Sequence, residues 1–318
     1  MTAAAAVTPD RLELLDAAAA AAGITLERDA PLAPFTTLRV GGPADRLAVA
    51  ESTDELVALH RAADEAGVPV FLLGKGSDLV VADAGIRGLV IRVRADGVEV
   101  DGTRVRAEAG TSMTGLAKRC AREGLAGFAW GISIPGSVGG AAWANAGAHG
   151  GDMAGVVREV EIYDPRDGSR RTLTNDECAF GYRDSRFKHS PEIVLAATLE
   201  LEPGDPDAIG AEIDAHQARR RATQPLADQN AGSVFRNPPG DHAGRLVEAA
   251  GLKGHRIGTA QVSTLHANFI VTDRGRGRAA DVRRLGDHVR AVVAERFGVE
   301  LRYEIEFVGD WPAAEDAA

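Results

Sequence analysis

The sequence predicts an α+β protein of two or three domains. Its 318 residues are enough to bury a substantial core. Segments with helical periodicity alternate with short stretches in which apolar and polar residues alternate, as they do in strands. The segment PGDPD, at residues 203–207, separates a strand-rich first part from an α+β remainder of roughly a hundred residues, which is an ordinary domain size.

The first part of the chain is expected to begin with a helix and then a β-α-β unit. Residues 9–22 form the first helix. The segment RLAVA is a strand, residues 52–67 form a helix that starts at Ser52 or Thr53, and VPVFLLG is a second strand. Alternation through residues 88–110, with Asp-Gly turns, then predicts an antiparallel meander.

Further elements follow the same reasoning. A helix is expected at residues 112–123, and strands follow, the last of them at residues 193–202. The remainder has predicted helices at residues 207–222, 243–251 and 279–297. It closes on the strand ELRYEIEFVG, in which alternation places Tyr303 on one face and Glu304 and Glu306 on the other.

The most informative segment is GISIPGSVGGAAWANAGAHGG, which contains seven glycines between Trp130 and Asp152. Glycine lets the backbone approach a ligand closely and turn its N–H groups toward an anion. Two other strand ends carry glycines, in FTTLRVGGPAD and LLGKGSDLVV, so the three segments are expected to share one ligand. None of them has the Walker or Rossmann glycine pattern, which excludes a dinucleotide site of the Rossmann kind.

Composition excludes several function classes. The chain has 36 Lys+Arg against 46 Asp+Glu, so its net charge of −10 offers no attraction to nucleic acid or anionic lipid. Its two cysteines, Cys120 and Cys178, do not have metal-ligand spacing and suit a reducing compartment. No signal peptide or membrane span is recognisable. We therefore expect a cytoplasmic protein with no metal, nucleic acid or membrane partner.

Two segments carry candidate chemistry, although neither is decisive alone. FGYRDSRFK, at residues 180–188, is by itself typical of a loop with a salt bridge. In NAGSVFRNP, Gly232 gives the backbone beside Ser233 conformational freedom, and the side chain of Arg236 is a candidate hydrogen-bond donor. Ser233 lies outside a GxSxG motif and has no base nearby in sequence, so a hydrolase nucleophile is disfavoured and the role of a proton donor stays open.

In their order along residues 31–309, these motifs resemble the UDP-N-acetylenolpyruvoylglucosamine reductase (MurB) family. The resemblance rests on FTTLRVGGPA, LLGKGSDLVV, the glycine-rich segment, FGYRDSRF, NAGSVFRNP, AGRLVEAAGLKGHRIGTAQVS, HANFIV and YEIEFVG. It implies a flavoenzyme of peptidoglycan precursor synthesis, in which NADPH reduces FAD. A hydride then passes to UDP-N-acetylglucosamine enolpyruvate, giving UDP-N-acetylmuramate.

The resemblance also implies an architecture. A FAD-binding domain of the PCMH, or vanillyl-alcohol-oxidase-like, kind would consist of two subdomains, residues 1–95 and 96–206. A smaller α+β domain, residues 207–318, would bind the UDP-sugar. The segment between YRDS and NAGSVF is short, as in the branch of the family that lacks an extra tyrosine-bearing loop. We expect a monomer.

Site residues are implied by the same resemblance. Ser233 is the expected proton donor, Arg183 the cation beside the substrate carboxylate, and Glu304 the third member of the catalytic set. A carboxylate beside a developing enolate would repel it, so Glu304 is expected to be protonated or to act through water. Glu306 is the alternative carboxylate on the same strand face.

The binding residues fall into two groups. The residues expected to hold FAD are Leu73, Gly74, Lys75, Gly76, Ser77, Asp78, Ile134, Pro135, Gly136, Ser137, Gly139, Gly140, Asn145, Gly147 and Ala148. Those expected to hold the substrate are Arg183, Gln224, Arg236, Asn237 and His266. The chain departs from the family pattern at Asp78, where asparagine is usual, and at Tyr303, where a proline is common.

Two alternatives remain at this point. The first is another FAD-dependent sugar or alcohol oxidoreductase of the same architecture, with His149 as the residue that would tether its flavin. The second is a nucleotide-binding module without catalytic activity. The joint presence of Arg183, Ser233 and Glu304 argues against the second.

Overall fold

The computed structural model describes residues 7–312, and the chain divides into two compact units. One unit comprises residues 48–75 and 90–219 with the segment up to Leu26. The other comprises residues 27–47 and 76–89 with the segment from Arg220 onward. Each unit has its own hydrophobic core. The predicted division at residues 95 and 206 stays a prediction.

Helices and strands together confirm the predicted α+β class. The helices are α1 (Pro9–Ala21), α2 (Thr53–Glu65), α3 (Met113–Arg122), α4 (Val138–Ala144), α5 (Met153–Val156), α6 (Pro206–Thr223), α7 (Ala243–Ala249) and α8 (Ala279–Phe297). The side chain of Ser52 accepts a hydrogen bond from the Glu55 N–H, so α2 begins where the sequence predicts. Within residues 7–312, none of the helices is both long and apolar enough to cross a membrane.

The strands are mostly short. They are β1 (Glu27–Pro31), β2 (Pro43–Ala50), β3 (Val70–Leu73), β4 (Leu79–Val81), β5 (Ile86–Val93), β6 (Val98–Asp101), β7 (Arg104–Glu108), β8 (Leu125–Ala126), β9 (Gly147–Ala148), β10 (Gly151–Asp152), β11 (Val157–Asp164), β12 (Ser169–Thr174), β13 (Ile193–Glu200), β14 (Glu202–Pro203), β15 (Gln229–Asn230), β16 (Arg256–Ile257), β17 (Ala260–Val262), β18 (Ile270–Thr272) and β19 (Glu306–Val308). One four-stranded sheet has the order β1-β2-β5-β3.

The first unit is organised around a five-stranded antiparallel sheet with the order β12-β11-β13-β7-β6. Its central strand, β13, is buried along seven of its eight residues, which is why it reads as a continuous apolar run. Apolar side chains of α3 and α4 belong to the same core. Cys120 and Cys178 are buried here without a disulfide, and burial raises the pKa of each thiol to about 12.

The second unit combines a four-stranded antiparallel sheet, with the order β15-β18-β17-β16, and two helices, α7 and α8. The strands β4 and β19 pair in parallel in the same unit, with Phe307 opposite Val80. After β4, the carboxylate of Asp83 accepts hydrogen bonds from the N–H groups of Ala279 and Ala280 at 2.9 and 3.0 Å. A residue distant in sequence therefore caps the first turn of α8.

The predicted single meander over residues 88–110 is wrong. The hairpin of β6 and β7 forms, but β5 belongs to a different sheet. At residues 96–97 the chain does not reverse, because the carbonyls of Ala95 and Gly97 accept hydrogen bonds from the N–H groups of Gly110 and Glu108. Alternation of apolar and polar residues indicates a strand but not the sheet that it joins.

Two other segments differ from the sequence prediction. The closing strand is confined to β19, because the chain changes its pairing partner at Ile305: the Glu304 N–H donates to Val234, and the Glu306 N–H donates to Asp78. The glycine-rich segment contains a helix, α4, which starts after Ser137 and continues through an alanine-rich stretch. Alanine favours helix strongly enough to offset two glycines in the first turn.

We expect removal of the α8 cap to destabilise the second unit. Asp83→Ala leaves two backbone donors without their carboxylate partner and should lower the free energy of unfolding by about 1–2 kcal/mol. Chemical denaturation monitored by circular dichroism measures this change. Asp214→Ala, at an exposed position within α6, is the matched control and should have little effect. Equal stability of both variants would contradict the capping role.

Candidate active site

Arg183 lies at the tip of a tight turn in the first unit. Gly181 and Asp184 exchange backbone hydrogen bonds of 2.9 and 3.2 Å, which leaves Tyr182 and Arg183 as the two residues between them. The backbone of Arg183 has a φ of 54°, in the left-handed region that glycine normally occupies. Such strain costs on the order of 1 kcal/mol and is concentrated at functional sites.

The glycine-rich segment holds this turn in place. The guanidinium of Arg183 donates to the carbonyl of Gly147 at 2.9 Å. The buried side chain of Asn145 donates to the carbonyl of Gly181 at 2.8 Å and accepts from the Ala154 N–H at 2.9 Å. Two residues expected to hold the cofactor, Asn145 and Gly147, therefore have a structural role in orienting Arg183.

The start of α4 is packed closely against the strand end at Ala109. A Cβ atom at Gly139 would lie 2.8 Å from the Cβ of Ala109, so only glycine fits there. The N–H groups of Val138 and Gly139 donate to the carbonyls of Thr111 and Ala109, both at 2.9 Å. The hydroxyl of Thr111 is buried and has no hydrogen-bond partner within residues 7–312. A buried hydroxyl without a partner is what a bound polar ligand would satisfy.

The two glycines of LLGKGSD are equally intolerant of a side chain. A Cβ at Gly74 would lie 2.7 Å from the hydroxyl oxygen of Ser137. Gly76 has a φ of 62°, and a Cβ there would lie 2.3 Å from the carbonyl oxygen of Phe35. Both positions therefore require glycine because of close packing against protein atoms. Among the other residues expected to bind the cofactor, Leu73 is buried, Ser77, Ile134, Gly136 and Ala148 are half-buried, and Lys75, Asp78, Pro135 and Gly140 are exposed.

Ser233 is followed by a segment that Asn268 holds along one edge. The Val234 N–H donates to the backbone carbonyl of Asn268 at 2.8 Å. The Asn268 side chain accepts from the Phe235 N–H at 3.0 Å and donates to the Phe235 carbonyl at 2.8 Å. Asn268 is itself buried, and the sequence interpretation missed it. An asparagine inside the apolar run HANFIV was the available signal, because a buried amide needs specific partners.

The segment that contains Glu304 pairs with the opposite edge. The Glu304 N–H donates to the Val234 carbonyl at 2.8 Å, and the Arg236 N–H donates to the Arg302 carbonyl at 2.9 Å. This brings the backbone of Glu304 beside the residue that follows Ser233, within one unit. Glu306, the alternative carboxylate, lies in β19 and pairs with the chain at Asp78 instead.

Arg236 and Asn237 behave differently although they are adjacent. The Nε atom of Arg236 is buried and has no hydrogen-bond partner among the residues that the structure describes. The side-chain oxygen of Asn237 accepts a hydrogen bond from the Ala243 N–H at 3.1 Å, at the start of α7. The Arg236 Nε can therefore donate to an anion, whereas the Asn237 side-chain oxygen already accepts a hydrogen bond as a cap of α7.

A second basic group lies at the end of α6. Arg219 and Arg221 are exposed, but Arg220 is half-buried, and its Nε donates to the Gln224 side-chain oxygen at 2.9 Å. Burial lowers the pKa of Arg220. Consecutive arginines on a helix usually form a solvated basic face, but Arg220 departs from that pattern because it is half-buried.

His266 is oriented by its own turn. Its Nδ1 accepts a hydrogen bond from the Asn268 N–H at 3.2 Å, which places the ring proton on Nε2. Burial, and then the charge of Lys253, lower the pKa of the His266 imidazole. The neutral ring thus presents Nε2 as a donor.

His149 contacts protein groups in the first unit. Its Nε2 lies 2.8 Å from the Ser133 hydroxyl, and its ring stacks on His216 with centroids 3.9 Å apart. Within the described part of the chain, no three His, Cys, Asp or Glu side chains form a group that could hold a metal ion.

The lowered pKa of His266 predicts a pH dependence of stability. The unfolded chain takes up a proton at this residue near pH 6.5, whereas the folded protein does so only at lower pH. Stability should therefore be full above that pH and fall as the pH drops toward the folded-state pKa. His266→Asn keeps an acceptor for the Asn268 N–H and should reduce this loss. Urea denaturation between pH 7.5 and 5 tests it, and identical pH profiles would refute it.

Two family models match this chain. The family model for the C-terminal domain of UDP-N-acetylenolpyruvoylglucosamine reductase matches residues 224–308, and a FAD-binding domain matches residues 44–174. UDP-N-acetylenolpyruvoylglucosamine reductase 2 of Symbiobacterium thermophilum is 47% identical over 90% of this chain and 93% of its own length. The reductase of Moorella thermoacetica is 46% identical over 88% of this chain and 92% of its own length.

A solved structure supports the same relationship. The crystal structure of UDP-N-acetylenolpyruvylglucosamine reductase (MurB) from Thermus caldophilus has a TM-score of 0.77 and 36% sequence identity to this chain. It covers 91% of this chain and is itself covered completely. The chain therefore belongs to the UDP-N-acetylenolpyruvoylglucosamine reductase family and is an FAD-dependent oxidoreductase.

Proposed function

We propose that this chain uses NADPH to reduce UDP-N-acetylglucosamine enolpyruvate to UDP-N-acetylmuramate, in peptidoglycan precursor synthesis. The observation that carries the proposal is the pairing of Glu304 with the segment after Ser233, in a chain 47% identical to a reductase of that name. The expected cytoplasmic location, the monomeric state and the assignment to the branch without the extra tyrosine loop form part of the same proposal.

The cofactor is FAD, which supplies the hydride when it is bound and reduced. The residues that would hold it are those of LLGKGSD and the glycine-rich segment. The Thr111 carbonyl accepts a hydrogen bond from the Val138 N–H of the glycine-rich segment, and the buried Thr111 hydroxyl lacks a partner within residues 7–312. A polar cofactor beside this segment would satisfy that hydroxyl. Asn145 and Gly147 contribute indirectly by holding the Arg183 turn.

Arg183 would stabilise the charge that develops on the substrate. Hydride addition at the methylene carbon leaves negative charge on the carbon that bears the carboxylate. A guanidinium already fixed in position stabilises that charge without having to reorganise during the reaction. The bond from Arg183 to the Gly147 carbonyl, and the strained backbone of Arg183, support such a fixed position.

Ser233 would donate the proton that completes the reduction. The carbanion, or enolate, is strongly basic, so a serine hydroxyl is acidic enough to protonate it. Glu304 would act in its protonated form or through a water molecule, since an ionised carboxylate in direct contact would repel the enolate. Its backbone bond to Val234 supports Glu304 over Glu306 for this role.

Four side chains of the second unit would bind the substrate's diphosphate or sugar. Arg220 and Gln224 are joined by a hydrogen bond that directs the Gln224 amide nitrogen away from the arginine. Arg236 has a buried Nε with no partner in the described chain. Diphosphate oxygens would accept hydrogen bonds from these groups and would give the buried Arg236 Nε the acceptor that it lacks within residues 7–312. His266 would add a neutral donor through Nε2.

Replacing Ser233 separates the two half-reactions. Ser233→Ala should leave FAD reduction by NADPH within about twofold of wild type, because no proton from Ser233 is needed there. Reoxidation by the enolpyruvyl sugar nucleotide should slow roughly 100-fold or more. Anaerobic stopped-flow absorbance of the flavin measures both rates in the holoenzyme.

A matched control is Ser190→Ala, which removes a hydroxyl bonded to Glu192 in the first unit and should alter neither rate. Equal loss of both half-reactions in Ser233→Ala would refute the role of Ser233. Failure of the wild-type protein to oxidise NADPH with the enolpyruvyl substrate would refute the function itself.

Arg220 is expected to contribute to substrate binding. Arg220→Ala should raise the Kd for UDP-N-acetylglucosamine roughly tenfold or more, because a charge-assisted bond contributes about 1.5–3 kcal/mol. Isothermal titration calorimetry gives the Kd, and the effect should weaken with added salt. Arg219→Ala, which changes the exposed neighbour, should change the Kd less than twofold. Similar Kd values for the two variants would show that Arg220 does not contact the diphosphate.

A further inference from the structure

Tyr303 lies directly before Glu304, and its ring packs against the segment after Ser233. Its ring stacks on Phe235 with centroids 5.2 Å apart and an interplanar angle of 27°. Phe235 is two residues after Ser233, and it is almost completely buried. The backbones of Phe235 and Tyr303 also form an antiparallel bridge, so the two residues interact through both their rings and their backbones.

Helix α8 fixes the other side of the same ring. The Tyr303 hydroxyl donates to the Asp287 carboxylate at 2.8 Å, and the Arg290 guanidinium lies 5.0 Å from the ring centroid. A Cβ at Gly286 would lie 2.6 Å from the Tyr303 hydroxyl oxygen, so the glycine at this position of α8 leaves the space that the tyrosine side chain occupies. Burial, and then the bond to Asp287, raise the pKa of Tyr303, which keeps the hydroxyl protonated as a donor.

The backbone bonds on each side of Tyr303 connect it to the catalytic residues. The Glu304 N–H donates to Val234, and the Arg236 N–H donates to Arg302, so these two bonds flank the Phe235–Tyr303 pair. A ring held by α8 therefore limits how far the Glu304 backbone can move relative to Val234. Val234 directly follows Ser233, so the same contact limits the spacing between the two residues of the proposed reaction.

We propose that Tyr303, anchored to Asp287, is a positioning residue that keeps Glu304 in register with Ser233 during proton transfer. This rests on the proposed roles of Ser233 and Glu304. Tyr303 would act through its neighbours, because its hydroxyl is bonded to α8. Small displacements of catalytic groups reduce rates strongly, so loss of the anchor should slow the protonation step without weakening substrate binding.

The test is a double-mutant cycle on the holoenzyme. Tyr303→Phe keeps the ring and removes the anchor, Asp287→Ala removes the acceptor, and Asp287→Asn retains an acceptor oxygen. We expect Tyr303→Phe and Asp287→Ala each to slow flavin reoxidation by the enolpyruvyl substrate roughly tenfold. The double variant should be no slower than either single variant. Asp287→Asn should restore most of the rate, and flavin reduction by NADPH and the substrate Kd should stay within about twofold in every case.

Tyr163→Phe is the matched control, since it removes a hydroxyl that contacts Arg61 in the first unit. It should leave both half-reactions unchanged. Additive effects of Tyr303→Phe and Asp287→Ala on the reoxidation rate would overturn the positioning role. Equal slowing of both half-reactions, together with a lower Tm, would also overturn it and would indicate general destabilisation. If Ser233→Ala slows reoxidation selectively but Tyr303→Phe and Asp287→Ala do not, only the positioning role fails. If Ser233→Ala has no selective effect, the proposed function of the site fails first.

Discussion

Backbone pairing around Phe235 and Tyr303 is the constraint on which the proposed catalytic part of the second unit depends. Two hydrogen bonds of 2.8 and 2.9 Å flank this pair on one edge of the segment after Ser233. Asn268 supplies three more on the opposite edge, two of them through its side chain. With partners on both edges, the segment cannot shift without leaving buried backbone groups unpaired, which costs about 1–3 kcal/mol for each group.

The first unit uses a comparable arrangement around Arg183. A non-glycine residue at φ 54° is unfavourable in isolation, and its turn persists because Asn145 and Gly147 bond to it from the glycine-rich segment. That segment therefore has two structural consequences. It packs closely against Ala109 through Gly139, and it holds the guanidinium that the proposed chemistry needs. Its glycines and its asparagine are consequently required for different reasons.

Much of the architecture was predictable because helices are local. The bounds of α8 follow from apolar periodicity, and Ser52 marks the start of α2 through a contact only three residues away. Sheet membership was not predictable in the same way. Residues 88–110 alternate correctly, yet β5 and β6 join different sheets because Ala95 and Gly97 pair with Gly110 and Glu108, at and just after the end of β7. Arg220 is likewise half-buried, whereas Arg219 and Arg221 are exposed. Three identical neighbouring residues give no sequence signal for that difference.

The sequence by itself determined the family, the cofactor class and the identity of the candidate residues, because eight motifs in one order carry that information. The tertiary structure alone decided how those residues are held. It showed that Asn268 supports the segment after Ser233, that Asn145 supports the Arg183 turn, and that Tyr303 is anchored to α8. Each of these contacts joins residues far apart in the chain. Hydrogen bonding and packing between such residues depend on the folded geometry, which no local pattern specifies.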